Sequence, residues 1–221
     1  MLMRARWLRW IPLAATVLVL APIHLPGMLL FRYEMQAHGI TVHSEAPLPP
    51  ALIEPILAEA QARIDTSRIA ARPQPHTIYL TMGGWRWDWL ALGSRETFAV
   101  TRMFTENTIV NRSDLATNTV WSRRRIGSHR RLSSDIAHET CHSMIRDHFG
   151  IVATLRAPTW VIEGYCDFVA GESTLSAADV ARLEASGIHH PTIDNYHARE
   201  KVAAILAANG NSVDRLFAEA R

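Results

Sequence analysis

Apolar positions along the chain fall into three regimes. Over residues 11–31 they run almost unbroken, interrupted by Pro12, Pro22, His24, Pro26 and Gly27. Over 52–64 they recur at helical spacing (Leu52, Ile53, Ile56, Leu57, Ala60, Ile64), which predicts an amphipathic helix. Pro73 and Pro75 break the chain after that helix. Segments 76–81, 97–104 and 108–111 are rich in β-branched and aromatic residues and predict strands. The stretch WRWDWLALG (85–93) fits two periods. Trp85, Trp87 and Trp89 alternate as on a strand, whereas Trp85, Trp89 and Leu92 share a helical face. From residue 133 onward the pattern is helical. Ser133-Ser134-Asp135 offers an N-cap and a first-turn acid, and Gly150 closes that helix after His148. Pro158 opens a second helix, and three more are predicted over 176–186, 194–208 and 212–220. Strands first and helices afterwards predict an α+β fold: a small strand-rich sheet, then a helical half.

The pattern divides the chain into an N-terminal membrane anchor or signal segment (1–31), a linker (32–50) and one folded domain (51–221). The 11–31 run is about long enough to span a bilayer, and Arg4, Arg6 and Arg9 before it would stay cytoplasmic. That places the domain in the periplasm or outside the cell. Pro22 and Pro26 break a helix, so a cleaved signal peptide with an apolar core at 13–21 is a second reading. A buried soluble helix is a third.

Charge adds little. With Lys+Arg 23 against Asp+Glu 21, the chain carries a formal +2, which calls for no nucleic-acid partner. The concentrated basic stretch SRRRIGSHRR (122–131) is expected as a solvated loop. Cys141 and Cys166 would face an oxidising compartment and could pair. The competing reading is two small buried apolar residues.

The candidate chemistry lies in HETCH, residues 138–142. On a helix, His138 and His142 point the same way and present two imidazoles to one point, a ligand pair suited to zinc. Glu139 sits beside the first ligand, where a carboxylate can take the proton of a zinc-activated water. Two residues compete for the third ligand. His148 occupies the place of the last histidine in the metzincin pattern H-E-x-x-H-x-x-G-x-x-H, but Ile145 stands where that pattern has its turning glycine. If the helix continues, six residues carry His148 some 120° away from His142. Glu163 lies 21 residues after His142, the distance for one helix to end and another to return. Asp167 is one turn further along that face, where a carboxylate can hold a ligand imidazole.

HETCH at 138–142 together with WVIEGYCD at 160–167 resembles the gluzincin group of zinc metallopeptidases, in the peptidase MA-like superfamily. NTIVNRSDL (107–115) is similar to the edge strand and turn upstream of the active helix in that group. Residues 195–217 are similar to its closing helices. The resemblance implies hydrolysis of peptide bonds in a peptide or protein substrate, with His138, His142 and Glu163 on Zn2+, Glu139 as base and Asp167 behind a ligand. It also implies a donor to the oxyanion, with Tyr196 preferred over His189, His190 and His197. A reading of another class is a binding or assembly module at the membrane that keeps the fold and cuts nothing.

Overall fold

The structure, a computed structural model, describes residues 10–70 and 76–220. Arg4, Arg6, Arg9, Pro73 and Pro75 lie outside the described residues. The fold is α+β, a strand-rich N-terminal part followed by a helical C-terminal half.

The segment expected as a linker is part of the sheet. Strands β1 (Tyr33–Ala37) and β2 (Ile40–Ser44) form a hairpin. Its turn places His38 and Gly39 at positive φ. The surface strand β1 alternates between half-buried and exposed positions, so its polar residues concealed it. β2 runs parallel to β3 (His76–Leu80), and β3 runs parallel to β5 (Thr108–Val110). β4 (Ala99–Thr101) closes the sheet antiparallel to β5, giving the order β1-β2-β3-β5-β4. The edge beside the helices is therefore β4. The 107–115 segment, expected as the edge, instead places β5 inside the sheet, because its residues pair on both sides.

Strand alternation sends the two faces to different partners. Val42, Ile78, Leu80 and Val110 pack under helices α2 (Pro50–Ile64) and α4 (Leu132–Phe149). Tyr79 and Ile109 face the other way, onto Trp87 and Leu90 of the short helix α3 (Trp85–Leu90). The tryptophan stretch is thus helical.

A second sheet, β6 (Ser113–Asp114), β7 (Thr119–Trp121) and β8 (His129–Arg131), leads straight into α4. That connection moves the start of α4 ahead of the expected cap. Ser133, Ser134 and Asp135 lie inside the helix and are buried. The capping groups come from elsewhere: Asn118 accepts from the Leu132 and Ser133 amides through its main-chain and side-chain oxygens. α4 then runs unbroken through Ile145 to Gly150, whose φ of 80° ends it.

α5 (Ile151–Arg156) turns the chain into α6 (Thr159–Ala170), followed by α7 (Ala177–Ala185), α8 (Pro191–Ala208) and α9 (Val213–Glu219). α4, α6, α8 and α9 share an apolar core that includes Ile145, Val161, Tyr165, Val202 and Phe217. At the other end of the chain stands α1 (Ile11–His24). Its 14 residues reach about 21 Å. Among the described residues no helix is long and apolar enough to cross a membrane.

Candidate metal centre

α4 and α6 lie side by side at the mouth of a cleft of about 310 Å³. Behind them, the approach of α6 to α8 is set by glycine. A Cβ built on Gly164 would stand 2.6 Å from the Ala198 carbonyl oxygen of α8. Only a residue without a side chain lets α6 sit that close, and the preceding residue is Glu163.

One helical turn apart, His138 and His142 bring their Nε2 atoms to 3.2 Å. Glu163 spans both rings, with Oε2 3.6 Å from His138 Nε2 and Oε1 3.8 Å from His142 Nε2. Donors bound at about 2.0–2.1 Å to one tetrahedral centre stand about 3.3 Å apart, close to these separations of 3.2–3.8 Å. The polarity fits as well. His138 Nδ1 lies 2.8 Å from Asp167 Oδ1 and donates its proton there, so in the neutral ring Nε2 offers a lone pair to the common point. Two imidazole nitrogens and a carboxylate facing one another call for a cation.

Without a metal, a proton supplies that charge. Burial works to lower the His138 pKa, but Asp167 and Glu163 hold it well above the usual imidazole value. Burial lowers His142 despite the Glu163 carboxylate. Burial would raise Glu163, and His138 and His142 reverse this and bring it to about 2.

Glu139 is a rival for the third position, because ligand atoms of His138, Glu139 and His142 all lie within 4.8 Å of one another. This cluster could hold a metal ion. The Glu139 Oε2, however, accepts a 2.6 Å hydrogen bond from Thr101 Oγ1 on the edge strand. Glu163 faces both rings and Glu139 faces the sheet.

Asp167 is 2 % exposed and is shared with a residue that the sequence pattern assigns to a solvated loop. Arg130, the middle residue of β8, is buried and directs Nη2 3.4 Å from Asp167 Oδ1 and Nε 3.7 Å from Asp135 Oδ1. The exposed–buried–exposed alternation of His129, Arg130 and Arg131 is the only local signal, and three residues are too few for it to stand out. Thr101 and Asn195 also border the site, and no sequence motif singles them out.

Tyr196 does not line the cleft; its neighbour Asn195 does. One residue along a helix turns a side chain by about 100°, and Tyr196 packs instead among Leu175, Val180 and Ile193. His190 caps α8 and His197 pairs with Glu184 at 2.7 Å. His148 joins Asp214 of α9 at 2.7 Å, away from Glu163. Cys141 and Cys166 are free, buried thiols in the α4–α6 core, matching the apolar reading.

Comparison with known proteins gave no matching family model, no matching curated protein and no matching solved structure.

Proposed function

We propose that the chain is a zinc-dependent peptidase of the gluzincin type, tethered to a membrane through its N-terminal segment. The observation that carries this reading is the convergence of His138 Nε2, His142 Nε2 and the Glu163 carboxylate within 3.2–3.8 Å, with Glu139 close beside them and one of its oxygens taken up by Thr101. Two imidazoles and one carboxylate are the donor set of a catalytic zinc site, which keeps a position open. Bound zinc supplies the Lewis acidity that lets water give up a proton near neutral pH.

The chain's own residues do the rest. His138, His142 and Glu163 hold the ion, and Asp167 fixes the His138 ring. Glu139 takes the proton from the attacking water and returns it to the departing amine as the C–N bond breaks, so that acid and amine form with no net proton change. The edge strand β4 begins at the same cleft, which Ala99 lines together with Thr97 and Phe98 just before the strand. An extended peptide can add to such an edge as a further strand.

A digest of a peptide library by the zinc-loaded chain and by Glu139→Gln tests this. Cleavage by the wild type should fall by at least about 1000-fold in the variant, while zinc content stays the same. A wild type that binds zinc and cuts nothing would instead favour a binding or assembly module.

A further inference from the structure

We propose that the folded body itself rests on a lipid bilayer, with α1 as a peg in the hydrocarbon and the aromatic foot of that peg at the headgroups. Residues 11–20 are all exposed and none is charged. Val17, Leu18, Val19 and Leu20 are 46–66 % exposed. Consecutive helical residues point about 100° apart, so these four sample every side of the helix. A protein groove covers one stripe, whereas a helix apolar all round needs an apolar medium.

Among the described residues, the hydrogen bonds that join the peg to the body begin at Val19. Trp89 Nε1 donates to the Val19 carbonyl at 3.0 Å, Asn107 Nδ2 to the His24 carbonyl at 3.4 Å, and Arg86 Nε to the Leu29 carbonyl at 3.1 Å. Around this foot Leu30, Trp85 and Phe104 are 81 %, 56 % and 77 % exposed. Such aromatics suit the membrane interface. Thr101 and Asn107 are six residues apart, at most about 20 Å of chain, so Glu139 and the cleft open close to the lipid surface. If the peptidase reading holds, on which this last step rests, the substrate is a polypeptide stretch near the membrane.

The full chain is mixed with unilamellar vesicles of dioleoylphosphatidylcholine containing one-quarter dioleoylphosphatidylglycerol and floated on a density gradient. Brominated lipids report burial of indoles. The wild type should float with quenched tryptophans. Trp85→Ser combined with Phe104→Ser should weaken partition roughly tenfold, and Leu18→Asp should abolish it. Unchanged partition of the Trp85/Phe104 variant would overturn the seat, as would a vesicle-independent dimer held by α1. Neither readout requires zinc or cleavage.

A different observation carries a second inference: we infer that His76 and Thr108 are positioning residues for Glu139. His76 Nε2 lies 2.9 Å from Thr108 Oγ1, Thr108 Oγ1 lies 2.7 Å from Thr101 Oγ1, and Thr101 donates to Glu139 Oε2 at 2.6 Å. A carboxylate only accepts, which fixes the direction of the whole chain. Thr101 must accept from Thr108, and Thr108 from a protonated Nε2 on His76. Burial keeps the ring neutral, with its pKa lowered to about 4. The chain therefore aims one Glu139 oxygen at the sheet and leaves the other for the cleft.

Nitrogen NMR of the imidazoles at pH 7 should show His76 as the neutral Nε2–H tautomer. The Nδ1–H tautomer would overturn the inference, whether or not the chain is a peptidase. Where cleavage is measurable, Thr108→Val should lower it on the order of tenfold at constant zinc content. Thr108→Ser should restore it, which lost packing alone would not explain.

Discussion

In Glu163→Gln, zinc affinity falls by more than about 100-fold and any hydrolysis falls with it, because the amide keeps the shape and loses the charge that faces both imidazoles. Losing a group behind a ligand typically costs about 10–100-fold, so Asp167→Asn gives a milder defect in the same direction. His148→Ala leaves zinc unchanged, since that ring is joined to Asp214 at the far side of α4. Titration of the metal-free chain and variants with zinc against a competing chelator measures all three. If His148→Ala strips the ion while Glu163→Gln retains it, both the site and the gluzincin reading fail.

Replacing Arg130 with Met destabilises the fold by about 3–5 kcal/mol at neutral pH, the usual cost of removing one partner from a buried ion pair. Asp135 and Asp167 are each 2 % exposed, and Arg130 is their shared cation. Even beside Arg130, burial raises Asp135 to about 7. A carboxyl raised in the folded state binds protons that the unfolded chain releases, so its contribution is present at low pH and lost as pH rises through the raised value. In Arg130→Met, the deficit is therefore largest above pH 7 and shrinks towards pH 5. Urea denaturation at pH 7.5 and 5.5 reads both the size and the sign. A variant as stable as the wild type at pH 7.5 would show that the two carboxylates are not held by Arg130.

The parts of the site that are legible in the sequence are those built within single helices. His138 and His142 follow from four-residue spacing, and Glu163 and Asp167 follow from the same spacing on the returning helix. His148 is set apart because no glycine breaks α4 at Ile145, and the helix does run through. The illegible parts depend on residues far apart in sequence. The order β3-β5-β4 puts the edge at β4, which no local pattern reveals. The cap of α4 comes from Asn118, fourteen residues before the amide of Leu132, so Ser133 has the look of a cap when it is core. The Tyr196 error is one of phase, a single step around α8. Arg130 is hidden in a run of arginines whose composition says surface, although its neighbours in space are two buried acids.

Gly164 gives the helix behind the centre a seat that other side chains cannot change. At that point α6 and α8 meet backbone to backbone, so the seat of the Glu163 helix on α8 is gauged by main chain. Sequence drift can reshape the walls of the cleft at Thr97, Arg124 or Asn195 and so alter what enters it. The seat of α6 on α8 underneath stays the same for as long as position 164 carries only hydrogen.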